Sequence, residues 1–136
     1  VRRGAVDFCS MLSEISGVEE LCVTTNGSLL KEVARPLRDA GVTHLNISLD
    51  TLNEERFRAI THLGTLQDTL DGIEAAERAG FAKIKLNCVL LGGVNDDEIA
   101  DFVDLTREHP WQVRFIERMP MGCGNTVEGS SGSRET

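Results

Sequence analysis

Helix-period and strand-period hydrophobicity take turns along the 136 residues, and that alternation narrows the architecture sharply. Residues 5–15 carry Val6, Cys9, Leu12 and Ile15 at three-residue spacing, with Gly17 as a stop, which predicts an amphipathic helix. Residues 21–25 read as a strand, 28–40 as a helix ended by Gly41, and 43–50 as a second strand. Pro36 predicts a kink or restart in that second helix. A short helix is expected over 53–61, and a longer one from Thr65, supported by Asp68, to Gly80. A strand over 83–91 follows. Asn95 with Glu98 resembles a capping box for a helix to about Glu108, and 112–117 supplies the fourth strand. Strands separated by helices of this length pair in parallel, in a doubly wound α/β sheet or in part of a β/α barrel.

The strands themselves help to choose. A strand buried on both faces is apolar nearly throughout, whereas these alternate. His44, Asn46, Ser48 and Asp50 oppose Leu45, Ile47 and Leu49; Lys83, Lys85 and Asn87 oppose Ile84, Leu86, Cys88 and Leu90. The helices must cover the apolar side, so the polar stripe points the other way, which in a barrel is the lumen. A bound polar ligand would satisfy such groups; so would water, if the stripe is the solvated face of an incomplete sheet.

Charge restricts the partners. Fourteen Lys and Arg against 22 Asp and Glu give a net charge of −8, which argues against a broad nucleic-acid or anionic-membrane surface. No run approaches the ~20 apolar residues of a membrane span. Cys9, Cys22, Cys88 and Cys123 lack the close spacing of a metal loop; Cys9 lies in a helical pattern and Cys22 and Cys88 in strand patterns, which predicts small buried thiols in a reducing compartment. His44, His62 and His109 are dispersed, and solvated or core roles are expected. The chain starts at Val1 as though cut from something longer, and residues 122–136, with four Gly and three Ser, read as a flexible tail behind a core over 1–121.

Polar groups concentrate at strand ends, where ligands of β/α folds gather. Val23-Thr24-Thr25-Asn26-Gly27, Asn46-Ile47-Ser48-Leu49-Asp50-Thr51-Leu52, Lys85-Leu86-Asn87-Cys88-Val89, Gly93-Val94-Asn95-Asp96-Asp97-Glu98 and Arg114-Phe115-Ile116-Glu117-Arg118-Met119-Pro120 stand in that order. Together they resemble the middle of the GTP 3',8-cyclase family, also called molybdenum cofactor biosynthesis protein A, whose members are radical S-adenosylmethionine (SAM) enzymes. The resemblance implies a partial radical SAM (β/α)6 barrel carrying the last four parallel strands with their helices. It implies that Thr24 and Lys85 contact GTP, with Arg114 near the same substrate, and that Ser48 and Met119 contact SAM. A lysine and an arginine on strands suit a triphosphate or a guanine edge, although each is equally a surface charge paired with a carboxylate. Strict alternation from Arg114 sends Met119 to the opposite face, so the chain must turn near Pro120 or offer its backbone.

The departures from the family pattern are as informative. The C-x-x-x-C-x-x-C loop that binds the family's [4Fe–4S] cluster is absent from the sequence, as are the G-G-E-P strand end and the second cysteine triad. The expectation is therefore a fragment without cluster ligands, inactive by itself. In the complete family enzyme a 5'-deoxyadenosyl radical starts the rearrangement of GTP to (8S)-3',8-cyclo-7,8-dihydroguanosine 5'-triphosphate, the first step of molybdopterin synthesis. No general acid, base, nucleophile or metal ligand is assigned here. The resemblance further implies a cytoplasmic protein with GTP as small-molecule partner, no nucleic acid, no membrane, and room for a homodimer in the full-length family. A peptide-modifying radical SAM enzyme and a non-catalytic remnant are the alternatives.

Overall fold

The structure, a computed structural model, describes residues 3–118. The elements run α1 (Ala5–Ser13), β1 (Cys22–Thr25), α2 (Leu30–Asp39), β2 (His44–Ser48), α3 (Glu54–Thr61), α4 (Leu66–Ala79), β3 (Lys83–Leu90), a 3-10 turn (Asp96–Glu98), α5 (Ile99–Glu108) and β4 (Trp111–Glu117). The expected order of helices and strands is reproduced, with most segments a residue or two shorter at their ends. The expected boundary between a core over 1–121 and a tail over 122–136 lies outside the described residues, as does Met119.

Local chemistry sets several of the boundaries. Asn53 caps α3 by accepting hydrogen bonds from the backbone N–H groups of Glu55 and Arg56 at 3.0 and 3.1 Å. Thr65 caps α4 by accepting from the Asp68 N–H at 3.1 Å, and Gly80 ends it in the left-handed region at φ 79°. Pro36 does not break α2, which runs unbroken past it. The residue four positions earlier, Glu32, is exposed, so water can take over the carbonyl that the proline leaves without an N–H donor.

All strands are parallel and lie in the sequential order β1-β2-β3-β4. A doubly wound sheet would reverse its order at a switch point and carry helices on both faces. Here the helices share one face, as in a barrel wall. Leu45, Ile47 and Leu49 of β2 and its end, with Ile84, Leu86 and Cys88 of β3, are buried in one cluster with Leu30, Leu37, Ile73 and Phe102 from the helices. Full burial of a Leu, Ile or Phe side chain contributes about 1.5–3 kcal/mol, so this single layer of contacts holds the unit together. The approach of α4 is close enough that a Cβ at Gly72 would collide with the Gly27 carbonyl oxygen in the β1–α2 turn.

One thiol departs from expectation. Cys9 and Cys88 are buried, but Cys22 is exposed, because it opens the edge strand β1 and points to the face away from the helices.

Candidate functional site

In parallel strands, residues aligned across the ladder share a face, so the register lays the polar stripe out in rows. Thr24, Asn46, Lys85 and Gln112 form one row. Ser48, Asn87 and Arg114 form the next row towards the carboxyl ends. Strands lie about 4.8 Å apart, so the five residues from Thr24 to Arg114 that include Ser48, Lys85 and Asn87 span a patch of nucleotide dimensions. Thr24, Ser48 and Arg114 are exposed and Lys85 is half-buried. The stripe faces away from the core, as its alternation predicts.

Several features separate ligand-facing groups from structural ones. In Thr24-Thr25-Asn26-Gly27, the Thr25 hydroxyl accepts from the Gly27 N–H at 3.2 Å and the Asn26 side-chain oxygen accepts from the Ser28 N–H at 3.2 Å. Those two side chains build the turn, and Thr24 remains on the open face. Among the described residues neither Lys85 nor Arg114 forms an ion pair within 4.0 Å, whereas Lys31, Arg35, Arg56, Arg58, Arg78 and Arg107 all do. Lys83, further back on the same stripe, and Arg38 also form none, so among the described residues the three cations of the stripe, Lys83, Lys85 and Arg114, all stand without a carboxylate partner. Among the described residues the Oδ1 atoms of Asn46 and Asn87 are buried without a hydrogen-bond partner. A buried acceptor left unpaired costs about 1–3 kcal/mol. One of the two lies in each row, so each row contains an acceptor whose hydrogen-bonding capacity is unused.

At the carboxyl ends of β1 and β2 a cavity of about 260 Å³ is lined by Asn26, Ser48, Asp50, Thr51, Phe57 and Thr69, among others. The Asp50 carboxylate accepts from the Val89 N–H at 2.8 Å and ties β2 to β3. The expected capping box does not form. Asn95 uses its side-chain oxygen to accept from the Leu91 N–H at 2.8 Å and its amide nitrogen to donate to the Asp50 and Val89 carbonyls at 2.6 and 2.9 Å. The Glu98 carboxylate accepts from the Thr51 hydroxyl at 2.6 Å and the Leu52 N–H at 2.8 Å. Arg56 joins the group with a bidentate contact to Asp97 and a 3.0 Å bond to Glu98. That guanidinium holds the Asp97 carboxyl below the usual carboxylate range, and hydrogen bonding to Asp97 and then Glu98 raises Arg56 further.

The donor set suits SAM and does not suit an iron–sulfur cluster. Uncharged hydroxyl and amide groups with orphaned acceptors match ribose and amino groups. The thiols do not converge: Cys9 packs within the helical layer, Cys22 opens the amino end of β1, and Cys88 lies on the helix side of β3. Among the described residues no three His, Cys, Asp or Glu side chains are placed to hold a metal ion. Cys123 and Met119 lie outside those residues.

Alternation puts Asn46 and Asn87 on the polar stripe without assigning them a role; the signal that could have found them is an asparagine two positions from Ser48 in one strand and from Lys85 in the other. For Asn95 and Glu98 the sequence predicts a helix cap, because their long-range partners leave no mark in local sequence.

Known proteins resemble this chain in sequence. A GTP 3',8-cyclase of Pseudomonas putida (strain W619) is 51% identical over 122 residues, covering 90% of this chain and 36% of the relative. One of Heliobacterium modesticaldum is 51% identical over 126 residues, covering 93% and 38%, and one of Geobacter sulfurreducens is 55% identical over 120 residues, covering 88% and 37%. The chain thus spans little more than a third of the length of the curated relatives it matches. A family model described as the Radical SAM superfamily matches residues 1–106, more than three quarters of the sequence, and with the parallel sheet and its one-sided helices this shows that the chain belongs to the radical SAM superfamily.

Proposed function

We propose that this chain forms part of the ligand-binding wall of a GTP 3',8-cyclase acting in molybdenum cofactor biosynthesis. In this reading Thr24, Lys85 and Arg114 orient GTP, and Ser48 holds SAM together with Met119. The observation that carries it is the pair of rows on the open face, in which, among the described residues, Lys85 and Arg114 have no carboxylate partner and stand beside two buried amide oxygens without donors. The identity of about half the aligned residues to proteins named GTP 3',8-cyclase supports it as well.

The roles follow from side-chain chemistry. The Lys85 ammonium and the Arg114 guanidinium neutralise phosphate charge or meet the acceptor edge of guanine, and half-burial strengthens the lysine's contact relative to one in bulk water. The Thr24 hydroxyl, in the same row as Lys85 and two strands from it, fixes the nucleotide laterally. Ser48 presents a hydroxyl at the rim of the cavity, where it can donate to or accept from a ribose hydroxyl. SAM, when bound, supplies the radical chemistry of the superfamily; the residues here bind and orient. No proton transfer is assigned to them.

The reading carries with it a cytoplasmic location, no nucleic-acid or membrane partner, and room for a homodimer. A net charge of −8 disfavours polyanions, and among the described residues no helix is long and apolar enough to cross a membrane.

Calorimetric titration of the full chain with GTP and, separately, with SAM tests the assignment. Lys85→Ala should weaken GTP by at least about tenfold and leave SAM nearly unchanged, and Ser48→Ala should do the reverse. Binding of neither compound, or equal losses for both in each variant, would sink the reading. SAM binding without GTP binding would point instead to a radical SAM enzyme with another substrate.

A further inference from the structure

Between β3 and α5 a single loop grips the end of β2 from several directions. Asn95 is 1% exposed and Glu98 6% exposed, so both are polar side chains taken almost completely out of water. Each is saturated with partners. Asn95 bonds the Leu91 N–H on its own loop and the carbonyls of Asp50 and Val89 on the two strand ends. Glu98 takes the Thr51 hydroxyl, the Leu52 N–H and the Arg56 guanidinium. The Asp50 carboxylate closes the circuit on the Val89 N–H.

These contacts begin two residues beyond the ligand-facing pair. Ser48 precedes Asp50 by two positions, Asn87 precedes Val89 by two, and the Leu49 N–H donates to the Asn87 carbonyl at 3.0 Å. A shift of the Asp50 carbonyl against Val89 therefore changes the distance between the Ser48 hydroxyl and the Asn87 amide. Helix propensity does not need this arrangement, because α5 would start equally well with Asn95 and Glu98 serving as its cap. Their side chains reach across the sheet instead.

We propose that Asn95 and Glu98 are positioning residues that fix the carboxyl ends of β2 and β3, so that Ser48 and Asn87 meet a bound ligand without rearrangement. The ligand part of this inference rests on the SAM reading above. Neither residue touches the ligand. Asn95 acts through Asp50 and Val89, and Glu98 through Thr51 and Leu52.

Hydrogen exchange on the full chain gives a readout that does not depend on any ligand. Asn95→Asp replaces the donor facing two carbonyls with an acceptor of the same size, and Glu98→Gln is the milder variant should that one fail to fold. In a folded variant the amides of Leu49 and Val89 should exchange on the order of tenfold faster, while those of Leu45 and Ile84 keep their wild-type protection. Unchanged exchange at Leu49 and Val89, or acceleration spread evenly over Leu45 and Ile84 as well, overturns the inference. Titration with SAM supplies the second arm. The affinity loss in Glu98→Gln should be strongly non-additive with that in Ser48→Ala, because both act on the same hydroxyl; simple additivity would also overturn it. A wild-type chain that binds no SAM defeats the proposed function, and the exchange arm still decides whether the loop fixes the strand ends.

Discussion

Cys22 and Cys88 show how position within a strand governs a side chain's chemistry. Cys88 lies on the helix side of β3, where burial first, and then the nearby Asp50 and Glu98 carboxylates, push its thiol up to about 11. A raised thiol pKa leaves the reactive thiolate scarce at any pH below that value, and it becomes abundant only as pH climbs through it. Cys22 points to the open face of the edge strand. Limited alkylation at pH 8 followed by peptide mass mapping should therefore modify Cys22 well before Cys88; equal rates would contradict the packing described here. The same alternation explains Lys85 and Arg114. Each is flanked in sequence by residues that enter the core, Ile84 and Leu86 around the first and Val113 and Phe115 around the second. The strand leaves each cation only the open face.

At the scale of elements, the helical layer is held to the sheet by close approach as much as by apolar area. α4 lies against the β1–α2 turn with Gly72 over the Gly27 carbonyl, and Thr69 one turn earlier donates weakly to the Asn26 carbonyl at 3.4 Å. Gly72→Ala would favour the helix intrinsically by up to about 1 kcal/mol, but its methyl group has no space without moving backbone. Overpacking of this kind costs about 1–3 kcal/mol, so the net expectation is a lower Tm in thermal melts followed by circular dichroism. A raised Tm would show that α4 can slide away from the turn. Because the turn follows directly on β1, which carries Thr24, the substitution should also disturb the open face. The β3–α5 loop does for β2 and β3 what Gly72 does for β1. Both hold strand ends in place from outside the ligand face.

For the whole molecule, sheet edges and charge act in opposite senses. Among the described residues β1 and β4 each have one partner strand only, and Phe8 and Met11 of α1, with Ile15 just past its end, are exposed. Unpaired edges and exposed apolar side chains favour association between chains, while a net charge of −8 opposes it. Salt weakens the opposing term, since the Debye length falls from about 10 Å at 0.1 M to about 3 Å at 1 M. The apparent mass of the 136-residue chain in light scattering should therefore rise with concentration and rise further with added salt. A monomer insensitive to both would mean that the edges and these apolar side chains are covered.

Much of this architecture was determined by sequence alone. The order of helices and strands, the caps at Asn53 and Thr65, the stop at Gly80 and the separation of a polar from an apolar strand face all follow from interactions between residues a few positions apart. These are the distances over which periodicity and capping operate. The tertiary structure decided what depends on partners far along the chain. It put Thr24, Lys85, Ser48 and Arg114 into two adjacent rows, because strand register is a property of pairs. It exposed Cys22, because an edge strand is an edge only once its neighbours are placed. Asn95 and Glu98 turned from a helix cap into a brace on β2, some 45 residues earlier. A hydrogen bond across that separation leaves no local trace: once folding has brought the groups together, the buried strand-end carbonyls and N–H groups must find partners wherever they lie.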